Sequence, residues 1–136
     1  MKSVLVIDDD PLIRKTLTSY LSKKGFEAVA AEDGEEGIQK YEEHIPDLVI
    51  LDIRLPDVDG LEILGRIREK NPNASIIIMT AYDDMKTTIE AIKSGAFEYL
   101  VKPLEDRPLA LEYLPFYHGV EAKQFQLLSD DSRGLL

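Results

Sequence analysis

Continuous apolar runs that are too short for a membrane and too uniform for a surface strand constrain this chain most. "SVLVID" (Ser3 to Asp8), "DLVILD" (Asp47 to Asp52) and "ASIIIMTA" (Ala74 to Ala81) are apolar through their centres rather than at every second place. Strands of that kind are buried on both faces, which is the pattern of a parallel sheet covered by helices. The segments between them supply the helices. Asp10 and Pro11 offer an N-cap and a first helical residue, Ile13, Leu17 and Leu21 recur every four places, and Gly25 sits where a C-terminal cap belongs. "FEAVAA" is a weaker strand, and "DGEEGIQKYEEH" is a helix capped by Asp33 with Ile38 and Tyr41 on one face. Leu61, Leu64 and Ile67 mark a helix closed by "KNPN", "DDMKTTIEAIKSGA" is another that ends at Gly95, and "FEYLV" is a fifth strand. Strands alternating with helices in this way predict a doubly wound α/β sandwich with helices on both faces.

Length and charge narrow the function. A chain of 136 residues suits one domain. It contains no cysteine, so disulfides, thiolate metal sites and a catalytic thiol are excluded. With 26 acidic against 16 basic side chains, the net charge of -10 opposes direct binding to nucleic acid or to anionic lipid. The opening apolar run is cut off by Asp8, Asp9 and Asp10, too early for a signal peptide or a membrane span, so a cytoplasmic, membrane-free protein is expected.

In a doubly wound sheet the strand C-termini share one edge, where ligands bind. Asp8 and Asp9 follow the first strand, Asp52 ends the third, Thr80 ends the fourth and Lys102 ends the fifth. Taken alone, Asp52 reads equally well as a polar strand terminator beside a turn. The set reads differently. Carboxylates about 4 Å apart repel by roughly 4 kcal/mol per pair at an effective dielectric near 20, so such a cluster calls for protonation or a cation. Mg²⁺ suits it, since this ion takes one or two carboxylates, waters and a phosphate oxygen. Lys102 is a point charge for a dianion and Thr80 a hydrogen-bond donor to it. The edge fits a phosphoryl group attached to, or leaving, a carboxylate.

"VLVIDDDP", "DLVILDIRLPDVDG", "IIIMTA" and "GAFEYLVKP", in this order and spacing, resemble the receiver domain of two-component response regulators. The resemblance implies a five-stranded parallel sheet in the flavodoxin-like order 2-1-3-4-5. It implies a phosphoacceptor switch loaded by a sensor histidine kinase, with slow autodephosphorylation, rather than an enzyme acting on a separate substrate. Asp52 would be the phosphorylated residue. Asp9, Asp52 and the backbone carbonyl of Arg54 would bind Mg²⁺ directly, and Asp8 through a metal-bound water. Thr80 and Lys102 would hold the phosphoryl oxygens, and Thr80 with Tyr99 would form the switch. A partner or a second copy, as a homodimer, would then dock on the face made by the helix after Asp83 and the fifth strand.

Rival readings fail at particular residues. A calcium loop could use Asp57, Asp59 and Gly60, but its first and last ligands would be Leu55 and Arg66. In an aspartyl-phosphate phosphatase the first Asp of "DVDG" directly follows a strand, whereas here "IRLP" intervenes after Asp52. A phosphorylation-independent binding module would not need every reactive residue in place. Asp57, Asp59 and Gly60 therefore read as turn and cap, with Asp59 the N-cap, and His44 and His118 as surface residues. The resemblance predicts a receiver over residues 1–114. Residues 115–136 read as an atypical tail or linker, because Pro108, Pro115 and Gly119 interrupt a final helix. "TAYDDMKTTIEAIKSGAFEYLVKPL" is similar to receivers of transcription activators that carry an ATPase domain, although this chain has no phosphate-binding glycine loop.

Overall fold

The structure, a computed structural model, describes residues 2–80, 85–96 and 98–101. Its elements run β1 (Ser3–Ile7), α1 (Pro11–Lys23), β2 (Glu27–Ala31), α2 (Gly34–His44), β3 (Leu48–Asp52), α3 (Gly60–Lys70), β4 (Ile76–Thr80), α4 (Met85–Lys93) and β5 (Glu98–Val101). Every strand pair is parallel, and the order is β2-β1-β3-β4-β5, as the resemblance implied.

Two apolar layers sandwich the sheet. On one face Leu5, Ile7, Val49, Leu51, Ile76 and Ile78 pack against Ile38 and Tyr41 of α2, Ile63, Leu64 and Ile67 of α3 and Ala91 of α4. On the other, Val4, Val6, Leu48, Ile50, Ile77 and Met79 share a cluster with Leu17 and Leu21 of α1. Successive residues of β1, β3 and β4 serve opposite layers, which is why these strands are apolar throughout. Each such buried aliphatic contributes about 1.5–3 kcal/mol of transfer free energy. The edge strand β2 is only half-buried at Ala28, Val29 and Ala30, in keeping with its weaker pattern.

The helix starts expected at Asp10, Asp33 and Asp59 are in place, and the one expected at Asp83 lies outside the described residues. Asp10 accepts from the Leu12 amide at 2.9 Å, Asp33 from Glu36 at 2.8 Å and Asp59 from Leu61 at 2.8 Å. Gly25, with φ +93°, follows α1 as foreseen. Three strands begin later than expected: β2 at Glu27, leaving Phe26 to pack against the α1 layer, β3 at Leu48, and β4 at Ile76 after a turn in which Ala74 donates to Asn71. The end of α2 was not foreseen. It closes on Ile45 at φ +42°, a left-handed conformation that a β-branched residue adopts only under strain.

Candidate functional site

Strand register builds the site. Ile7 lies beside Leu51, so one step further along each strand brings Asp8 next to Asp52. Asp8 is fully buried, and its amide donates to the Ala31 carbonyl at 3.1 Å, extending the β1–β2 ladder by one residue. Its carboxylate accepts from the Asp10 amide at 2.8 Å. That short turn leaves Asp9 exposed at the sheet edge. Asp52 is 5% exposed, and its Oδ1 accepts from the Arg54 amide at 3.1 Å, a local bond that fixes the side chain at the strand end. A ligand atom from each of Asp8, Asp9 and Asp52 lies within 4.8 Å of the others. Three hard oxygen donors at that spacing fit a small divalent cation, and nothing soft competes among them.

The loop after β3 is closely fitted. The Gly60 amide donates to the Ile53 carbonyl at 3.0 Å, and Arg54 and Asp59 form an antiparallel bridge. A Cβ on Gly60 would lie 2.6 Å from the Cα and carbonyl oxygen of Ile53, so only glycine lets α3 start this close to the site. An open cleft of about 320 Å³ lined by Ile53, Arg54, Leu55, Asp59 and Thr87 separates this loop from α4.

Thr80 ends β4 and is fully buried. Thr88 of α4, also buried, donates its hydroxyl to Thr80 Oγ1 at 2.9 Å. Tyr99 on β5 pairs with Ile78 and packs, half-buried, against the same apolar layer. Lys102, His118 and the proposed tail lie outside the described residues. His44 is on the surface, 3.8 Å from Glu43, away from the reactive edge.

Sequence reading missed three contributors. Arg14 of α1 donates to the Asp8 carbonyl at 2.7 Å, which brings a cation to the acidic edge. Its spacing from Asp8 was the only available signal. Thr88 and Asp57 act across elements, and nothing local marks them. Asp57 accepts from the amides of Gly34 and Glu35 at the start of α2. Burial pushes the Asp57 carboxyl up, but the donated amides outweigh that push and hold it below its ordinary value.

The model of the response regulator receiver domain matches residues 4–113. The chain belongs to this family. The receiver is 41% identical over 108 residues to the chemotaxis protein CheY of Bacillus subtilis, covering 78% of this chain and 90% of CheY. It is 34% identical over 102 residues to the regulatory protein AtoC of Escherichia coli, covering 75% of this chain but only 22% of AtoC. Among solved structures it is similar to the response regulator TrrA of Thermotoga maritima in complex with Mg²⁺-BeF. That match has a TM-score of 0.71 and 41% identity, and covers 82% of this chain and 96% of that one. This receiver is thus a phosphoacceptor of two-component signalling, a domain type that takes phosphoryl groups from sensor histidine kinases. Among the described residues no helix is long and apolar enough to cross a membrane.

Proposed function

We propose that Asp52 is the residue this receiver phosphorylates, with Mg²⁺ held by Asp9, Asp52 and the Arg54 carbonyl, and by Asp8 through a water. The observation that carries this reading is the convergence of Asp8, Asp9 and Asp52 within 4.8 Å around the end of a buried strand. The Asp52 carboxylate attacks phosphorus in line, the P–N bond of the kinase's phosphohistidine breaks, and its electron pair returns to the imidazole. Mg²⁺, when bound, neutralises charge on the carboxylates and the phosphoryl oxygens. The protein's own work is positioning: the β3 ladder and the Arg54 amide hold the nucleophile still, and Thr80 and Lys102 receive the oxygens. Slow hydrolysis of the aspartyl phosphate would reset the domain.

In this reading Thr80 leaves Thr88 to bond the phosphoryl group, and Tyr99 turns into the space beside it. The surface of α4 and β5 changes as a result. Ile89 and Ile92 are 52% and 37% exposed there, which suits docking of a partner or a second receiver. The receiver spans residues 1–114, residues 115–136 are a tail or linker, and the chain works in the cytoplasm without touching nucleic acid, consistent with its charge of -10. Acetyl phosphate with Mg²⁺ should add one phosphoryl mass to the wild-type chain and none to a folded Asp52→Asn variant. A mass shift that persists in Asp52→Asn would move the acceptor elsewhere.

A further inference from the structure

The first turn of α2 exposes three amides, and two aspartates from different parts of the chain satisfy them. Asp33, the cap of α2 itself, takes Glu36 at 2.8 Å. Asp57, 23 residues beyond Gly34, takes Gly34 at 2.9 Å with one carboxylate oxygen and Glu35 at 3.0 Å with the other. Val58 seats the same loop tip, since a Cβ on Gly34 would collide with its methyl group. The other end of that loop is fixed by Gly60 against Ile53 and by the Arg54–Asp59 bridge. Arg54 therefore sits on a short loop pinned at both ends, and its outer pin reaches α2.

We infer that Asp57 is a positioning residue for the metal site: by clasping the N-terminus of α2 it sets where the Arg54 carbonyl stands. The inference rests on the reading of that carbonyl as a Mg²⁺ ligand. A helix needs only one side-chain cap to start, and α2 has it in Asp33. The second, two-oxygen cap arrives from the loop that carries Arg54, and its effect falls on the loop as much as on the helix. The coupling is reciprocal, because a ligand that favours the clasped loop must also tighten the clasp.

Mg²⁺ itself is the probe, titrated into the full chain by calorimetry at a temperature where every variant is folded by circular dichroism. Asp57→Ala should weaken Mg²⁺ binding by about three- to tenfold, below the usual loss for a residue bonded directly to a ligand. Asp57→Asn, which loses the charge but keeps an acceptor oxygen, should recover part of that loss. Asp33→Ala removes the other cap and an equal charge, and should change the affinity by less than about twofold. In the wild type, Mg²⁺ should slow hydrogen exchange of the Gly34 and Glu35 amides, and in Asp57→Ala it should not. Equal Mg²⁺ affinity in wild type and Asp57→Ala overturns the inference. Equal losses in Asp57→Ala and Asp57→Asn would trace the effect to charge alone, and a matching loss in Asp33→Ala would trace it to α2 stability; either result also overturns it. A wild-type chain that takes up no Mg²⁺ would instead remove the reading of Arg54 as a ligand, and this inference with it.

Discussion

The two sides of the reactive edge are built differently. On the β1–β3 side the groups are locked: Asp8 lies on an extended ladder, Asp52 is bonded to the Arg54 amide, and the following loop is wedged against Gly60 and clasped to α2. On the β4–β5 side Thr80 meets α4 through the Thr88 hydroxyl, α4 carries exposed Ile89 and Ile92, and a cleft separates it from the β3 loop. The contrast has a physical logic. An attacking carboxylate and its metal ligands gain from being held still, whereas a signal needs an element with two arrangements of similar free energy. In the proposed reading the nucleophile and the metal ligands belong to the locked side, and the switch to the looser one.

Gly60→Ala should break the locked side most severely. The added Cβ meets backbone at 2.6 Å, which cannot swing away as a side chain would, so a cost of about 3 kcal/mol is expected in urea unfolding. A variant as stable as wild type would mean that the loop shifts easily. Asp57→Ala should cost about 1–2 kcal/mol through the lost cap. Because the folded Asp57 carboxyl titrates below its ordinary 3.8, its contribution is complete above that value and is lost as the pH falls through the folded value. Unfolding curves of wild type and Asp57→Ala should therefore differ at neutral pH and converge in acid. A gap that persists in strong acid would assign the effect to packing.

Thr88→Val tests the looser side. Losing a hydrogen bond of about 1 kcal/mol should shift the Thr80 equilibrium about fivefold toward the phosphorylated-like arrangement, read as the beryllofluoride concentration needed for half-conversion. An unchanged midpoint would mean that the Thr88 hydroxyl does not restrain Thr80. The smallest effect is expected at Ile45, which belongs to neither side. Its side chain is 70% exposed and its φ is +42°, so Ile45→Gly should stabilise the chain by about 0.5–1 kcal/mol and leave phosphorylation unaltered. Altered phosphorylation in that variant would show that strain at the end of α2 reaches the site.

What could be read from the sequence follows the range over which each interaction acts. Leu48–Asp52 and Ile76–Thr80 are legible as strands because burial on both faces leaves every position before the polar last residue apolar. Asp10, Asp33 and Asp59 are legible as caps because each bonds an amide two or three residues ahead. Strand order was not available from periodicity; it came with the resemblance. Asp57 reads as an ordinary turn residue because its partners lie more than 20 residues back, and Thr88 reads as helix filler because only the fold brings it to Thr80. Ile45 defeats the usual expectation altogether, since turn statistics place glycine or asparagine in that conformation.

The division between a locked and a looser side can be tested most directly by NMR of the full chain with Mg²⁺ and beryllofluoride. The Thr80 methyl and the Tyr99 ring should move to new environments, while the methyls of Ile63, Leu64 and Ile67 beneath the site keep theirs. Unchanged Thr80 and Tyr99 signals, or α3 methyls that shift as far as the Tyr99 ring, would contradict it.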